Sequence, residues 1–320
     1  MYEIIPATRS GECSSPFPPG EGAPEERVRV RACERIDLAD LDALRKTLDR
    51  IAPDVIINAA AYTAVDRAED EPELAQRING DALGALGAWA KQNGARVVHY
   101  STDYVFDGDS TRPYRETDAT HPASVYGRSK LAGEIALRDS GARYLIFRTA
   151  WVYAARGQNF LRTMLRLGAE RGELRVVDDQ IGAPTPARLI AEVTAQVIAQ
   201  WSNDAAAARD GIYHLVASGQ TSWCGFARAI FERAPLFTPF GTKGEENHPP
   251  RNEGGRAQRG GMGVRAPHVV AITTADYPTK AKRPAFSVLD TTKLHDGFGI
   301  VPPDWQAALG EVIDELALGR

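Results

Sequence analysis

Three short runs rich in Val and Ile, DVIIN (54–58), RVVHYS (96–101) and YLIFRT (144–149), alternate along the chain with stretches whose apolar residues return every three to four positions. Short runs that are apolar on both faces suit strands buried on both sides, as in a parallel sheet. The intervening stretches 38–51, 73–93 and 125–140 read as helices. In the first, Leu38, Leu41, Leu44, Leu48 and Ile51 fall on one stripe. Asn93-Gly94 stops the second directly before the next strand. This alternation predicts an α/β fold, a Rossmann-like doubly wound parallel sheet with helices on both faces. Residues 174–177 and 212–216 are further strand candidates, and 305–318 reads as a helix.

The 320 residues suffice for such a domain, 1–150, and a smaller α/β lobe, 151–320, some of whose segments return to the first. A net charge of −4 supplies no basic field, so no nucleic-acid partner is expected. No apolar run approaches the ~20 residues of a membrane span, and the first nine residues lack the pattern of a signal peptide. Cys13, Cys33 and Cys224 are scattered without a CxxC pair. Neither a disulfide framework nor a zinc site is expected, and a reduced, cytoplasmic protein follows.

Two segments interrupt the alternation, 11–32 within the first domain and 239–267 within the second. Both are rich in Pro, Gly and Arg and poor in large apolar residues, so both are expected to be irregular exposed loops. Each runs from Pro-Pro through Glu-Gly to Val-Arg-Ala, ending at Ala32 and Ala266. They read as two copies of one inserted element, or as low-complexity segments converging by composition.

The chemistry concentrates in three places. Tyr126 and Lys130, four apart in YGRSK, share one helix face. An ammonium beside a phenol lowers the phenol's pKa from about 10, which would fit Tyr126 for general acid work. Thr102, in STDYVF, directly follows an apolar strand, at the carboxyl end where such sheets bind ligands. Its hydroxyl either faces a carbonyl oxygen beside Tyr126 or caps the next turn. The run NAAAYTAVD (58–66) also follows a strand, and its small residues would let a flat ligand approach the backbone. His99 and His214 read as core histidines, and Glu134 as part of a helix-surface ion pair.

These residues resemble the extended short-chain dehydrogenase/reductases, and among them the dTDP-4-dehydrorhamnose reductases. The resemblance rests on NAAAYTAVDRAEDEP, HYSTDYVFDG, VYGRSKLAGE, FRTAWVY, DDQIGAPT, GIYHLVASG, YPTKAKRP and PDWQAAL. It implies NAD(P)H-dependent reduction of dTDP-4-dehydro-L-rhamnose to dTDP-L-rhamnose, the last step of dTDP-rhamnose biosynthesis. It implies a dinucleotide-binding domain at 1–150 and a mainly substrate-binding lobe at 151–320. Thr102, Tyr126 and Lys130 would be catalytic. Ala61, Tyr62 and Thr63 would line the cofactor together with Tyr126 and Lys130, and Asp37 and Leu38 would lie near its adenine. Thr102, Asp103, Trp151, Gln180, Gly182 and Thr185 would meet a dTDP-linked keto sugar. The resemblance leaves room for a homodimer and leaves a divalent metal such as Mg undecided.

The family's glycine-rich phosphate loop is not recognisable. Residues 2–9 (YEIIPATR) resemble the family's second strand, so the chain is expected to start after the first strand, loop and helix. A truncation, a misplaced start and a real loss all fit. The alternative function is therefore a catalytically impaired, sugar-nucleotide-binding or regulatory relative. Arg9, after the second-strand sequence, suits the 2′-phosphate of NADPH or is an exposed strand-end arginine, and NADH stays an alternative.

Overall fold

In the computed structural model, residues 3–4, 7–8, 29–30, 34–201, 208–234 and 266–318 are described. They divide into two compact units. Unit 1 comprises 1–105, 120–147 and 206–212, and unit 2 comprises 106–119, 148–205 and 213–320.

The expected strands become Val55–Asn58, Arg96–Thr102, Arg143–Thr149 and Gly211–His214, which form one four-stranded sheet. Val55–Asn58 pairs in parallel with Arg96–Thr102, from Val55 opposite Arg96 to Asn58 opposite His99. Among the described strands it is the outermost of that sheet, and Ile57 is 52% exposed, so the expectation of burial on both faces fails there. The helices expected over 38–51 and 125–140 appear as Leu41–Ile51 and Val125–Asp139. Leu38 lies before the first of them because Asp40 caps it, accepting from the Ala43 N–H. Leu44 and Leu48 are buried with Leu83, Leu86, Trp89, Leu137 and Ile146, and Leu38 packs at the edge of this core.

The helix expected over 73–93 is broken into Pro72–Gln76, a π-turn Arg77–Asp81 and Ala82–Asn93. The π-turn widens the helix where Asn79 turns inward. The adjoining helix comes so close that a Cβ on Gly133 would stand 2.0 Å from the Asn79 carbonyl oxygen. Glycine is required at that contact.

Near the N-terminus, Glu3–Ile4 pairs in parallel with Arg29–Val30, and Ala7–Thr8 with Glu34–Arg35. Arg29–Val30 corrects the expectation that 11–32 is irregular throughout: the Val/Arg alternation of 28–31 supplies a strand pattern after the prolines. Residues 11–28 and 239–265 lie outside the described residues, as does Arg9.

In unit 2, Glu173–Val177 and His268–Ile272 pair in parallel along their whole length. The helices Phe160–Glu170, Trp223–Arg233 and Trp305–Ala317 bury Leu161, Phe226, Ile230, Trp305 and Leu309 in one core with Tyr153. No helix among the described residues is long and apolar enough to cross a membrane.

Candidate active site

In unit 1, the strand Arg96–Thr102 delivers Thr102, and a 3-10 turn carries Asp103 directly after it. Ser124 caps the helix Val125–Asp139 by accepting from the Gly127 N–H, which places Tyr126 and Lys130 in its first two turns. A Cβ on Gly127 would meet the Tyr104 carbonyl oxygen at 2.2 Å, so this glycine lets the helix start close against the segment after Thr102. Tyr104 meets Tyr126 edge-on at 5.5 Å.

Thr102 and Asp103 are both buried. The Thr102 hydroxyl donates to Asp103 Oδ1 at 2.9 Å, accepts from the Tyr104 N–H at 3.2 Å and stands close enough to the Tyr126 phenol to favour its phenolate. The pair Thr102 and Tyr126 is therefore assembled as expected.

Lys130 departs from expectation. Its Nζ donates to the Tyr100 carbonyl at 2.6 Å and lies 3.0 Å from His99 Nε2. Burial raises the Tyr126 pKa, the Thr102 hydroxyl opposes that rise and the Asp103 charge adds to it. Burial also lowers Lys130 from 10.5 to about 7, against the Glu134 charge, which favours the ammonium. The tyrosine is thus held protonated, and the lysine is poised near neutrality.

Of two neighbouring residues, one keeps its reading and gains a contact, and the other changes. His99 is fully buried, as a core histidine would be, yet it contacts Lys130 directly. Glu134 is buried and accepts from Ser101 Oγ at 2.5 Å, so it is no surface residue. One helical turn beyond Lys130 faces the sheet rather than solvent, because the helix packs its small Ser129 and Gly133 inward.

The run after Asn58 offers Ala59, Ala60, Thr63 and Ala64 as exposed small residues, with Ala61 and Tyr62 half-buried. Asn79 fixes this run: its Oδ1 accepts from the Tyr62 N–H at 2.8 Å, and its Nδ2 donates to the Tyr62 carbonyl at 3.0 Å and to Ser129 Oγ at 3.0 Å. Ser129 Oγ in turn donates to the Tyr126 carbonyl at 2.8 Å. The π-turn thereby ties the alanine run to the Tyr126 helix, a link that no motif spacing revealed. Asp37 Oδ1 accepts from the Ala39 N–H at 3.0 Å in the turn that also holds Leu38.

Unit 2 holds Trp151, Gln180, Gly182 and Thr185. Trp151 has a left-handed backbone, φ 49°, rare for a bulky residue and a mark of local strain. Its indole stacks on Trp223, a partner that the sequence reading missed. Gln180 is buried and donates to Thr274 Oγ1 at 3.0 Å. Thr185 is fully buried; its N–H donates to the Trp151 carbonyl, and its hydroxyl donates to the Ala183 carbonyl and accepts from the Ala217 N–H. Thr185 thus braces the Trp151 backbone. No cluster of His, Cys, Asp or Glu suited to a metal ion occurs among the described residues.

The sequence matches the family model described as the RmlD substrate binding domain over residues 21–318. A dTDP-4-dehydrorhamnose reductase of Shigella flexneri is 45% identical over 280 residues, covering 88% of this chain and 85% of the relative. The solved dTDP-4-dehydrorhamnose reductase of Clostridium acetobutylicum superimposes with a TM-score of 0.77 at 34% identity, covering 92% of each chain. That of Bacillus anthracis, in complex with NADP, also gives 0.77, at 29% identity over 98% of this chain and all of its own.

Proposed function

The chain belongs to the RmlD substrate binding domain family, that of the dTDP-4-dehydrorhamnose reductases, and from that premise we propose that it reduces dTDP-4-dehydro-L-rhamnose to dTDP-L-rhamnose with NADPH. The observation that carries the reading is the Thr102–Tyr126 pair, beside a buried lysine on the same helix. The keto oxygen of the sugar takes a hydrogen bond from the Thr102 hydroxyl, which turns to it from Asp103, and the phenolic proton of Tyr126, and its C=O double bond becomes a C–O–H. The high pKa of Tyr126 keeps that proton in place until charge develops on the oxygen. Lys130, near neutrality, can return a proton towards the phenolate by way of solvent.

NADPH, when bound, supplies the hydride for the keto carbon. The alanine run fits such a flat cofactor, since its exposed side chains are small and its backbone is clamped by Asn79. Ala61, Tyr62 and Thr63 would line it, with Asp37 and Leu38 towards its adenine and Arg9 towards its 2′-phosphate. In this reading unit 1 is the dinucleotide-binding part, and within unit 2 Trp151, Gln180, Gly182 and Thr185 meet the nucleotide sugar, Thr185 through the Trp151 backbone. Thr102, Tyr126 and Lys130 are all present, which supports the enzyme over a catalytically impaired relative.

Tyr126→Phe tests the assignment. Loss of a positioned general acid lowers kcat by about 10²–10⁴-fold, with binding of the nucleotide sugar nearly unchanged. A variant that keeps more than about a tenth of the parent rate removes Tyr126 from the chemistry.

A further inference from the structure

His99 lies at the centre of a buried chain of polar contacts. Asn58 Oδ1 accepts from the Ala60 N–H at 3.2 Å, which fixes the orientation of the Asn58 amide. Its Nδ2 therefore faces His99 Nδ1, 3.2 Å away, as a donor. A nitrogen that accepts carries no proton. Burial alone keeps the His99 ring neutral, and the Lys130 charge, when present, acts in the same direction. A neutral imidazole has one proton, so His99 carries it on Nε2, aimed at Lys130 Nζ 3.0 Å away. An ammonium has no lone pair to accept it, whereas an amine does.

We propose that Asn58 and His99 are positioning residues that lock the charge of Lys130 to the tautomer of His99. With Nε2–H, His99 donates to a neutral Lys130 amine while that amine donates to Tyr100. When Lys130 takes a proton from solvent, its ammonium donates to a bare Nε2 and His99 carries its single proton on Nδ1. The proton count rises by one, on Lys130 alone. The Asn58 side-chain amide must then withdraw Nδ2, and the Asn58 backbone carbonyl, which also faces the ring, takes the Nδ1–H. Turning the amide releases the Ala60 N–H, so the charge of Lys130 is felt in the alanine run. Among the described residues, Glu134 on the Lys130 helix is the charged group that acts on Lys130, and it favours the ammonium. The consequence for catalysis rests on the reading of Lys130 and Tyr126 above, but the coupling itself does not.

Nitrogen-15 NMR of the histidine-labelled protein, with carbon-13 shifts of Lys130, reads both partners without turnover. In the parent, His99 should be the Nε2–H tautomer at alkaline pH and pass to Nδ1–H as Lys130 charges, with one shared midpoint near 7. Lys130→Met should abolish the tautomer change. Asn58→Asp, whose carboxylate accepts from Nδ1–H, should hold the Nδ1–H tautomer throughout and raise the Lys130 midpoint by about one unit or more. A His99 tautomer independent of pH in the parent, or a Lys130 midpoint unmoved by Asn58→Asp, overturns the proposal. If Asn58→Asp does not fold, the comparison of parent with Lys130→Met decides alone. Failure of the Tyr126→Phe test would remove the catalytic reading and leave these spectra unaffected.

Discussion

Trp151 lies flat on Trp223, with ring centroids 3.6 Å apart and planes 6° from parallel. Two features hold it there. The Trp151 backbone sits in the left-handed region, and the strand of Gly182 passes directly beneath the indole, where a Cβ would stand 2.4 Å from Trp151 Cε2. Gly182→Ala should therefore drive the two rings apart. The near-ultraviolet circular dichroism of the stacked pair should weaken, and KM for the nucleotide sugar should rise several-fold, the scale of a lost aromatic contact of about 1 kcal/mol. A spectrum identical to that of the parent would show that Gly182 does not set the Trp151 position.

Lys130 gives a stability prediction whose sign is opposite to that of a salt-bridged lysine. Its folded pKa, lowered chiefly by burial to about 7, lies below the unfolded value near 10.5. Between those values the unfolded chain binds more protons than the folded one, so this residue's contribution to stability grows as pH rises. Lys130→Met removes the effect. Relative to that variant, the parent should gain up to about 1.4 kcal/mol per pH unit from pH 7 towards 10.5, measured by urea unfolding. A difference that stays flat over that window would mean that Lys130 is not buried in its neutral form.

The elements that the sequence made legible are those in which local pattern and tertiary demand agree. DVIIN and RVVHYS announce strands because no helix face could hide their continuous apolar runs, and they pair in register as Val55–Asn58 and the start of Arg96–Thr102. Tyr126 and Lys130 were legible as one helix face because helical spacing is fixed. Where the Lys130 amine goes was not, since it depends on His99 and Tyr100, about 30 residues earlier, meeting it across the sheet. The π-turn at Arg77–Asp81 escaped for a similar reason: the apolar pattern continues through it, and only the need of Asn79 to reach Tyr62 and Ser129 explains it. Glu134 has the composition and spacing of a surface residue, and only its contact with Ser101 shows otherwise.

His214 in unit 2 predicts part of the acid sensitivity. The ring is fully buried, sits edge-on to Phe106 at 5.8 Å and lies with Nδ1 3.1 Å from the Asp290 carbonyl. Burial, and then the Arg148 charge, lower its pKa from 6.5 to about 3. In the folded state it stays neutral, while the unfolded chain gains a proton below 6.5, so stability falls as pH drops from 6.5 towards 3. His214→Phe, which keeps a ring against Phe106, should make the unfolding free energy fall less steeply in that window. The slopes should differ by up to about 1.4 kcal/mol per pH unit. Equal slopes in urea titrations at pH 6.5, 5.5 and 4.5 would show that His214 is protonated in the folded protein.

Asp103 bears on the proton that Tyr126 is to deliver. Its carboxylate is buried, takes the Thr102 hydroxyl proton at 2.9 Å and, by its charge, adds to the rise that burial imposes on the Tyr126 pKa. Asp103→Asn removes that charge and weakens the hold on the Thr102 hydroxyl, which is then freer to donate to the phenol oxygen. Both changes favour the phenolate and lower the Tyr126 pKa. A general acid works only while protonated, so activity is lost as pH rises through its pKa. The alkaline fall of kcat should therefore begin at lower pH in Asp103→Asn than in the parent, by about one unit or more. At neutral pH Tyr126 is still protonated, and kcat should change much less than in Tyr126→Phe. The measurement is kcat against pH from 6 to 10.5 for the two proteins at saturating substrate. An alkaline limb that stays in place, or moves to higher pH, would mean that Asp103 does not hold the Tyr126 proton.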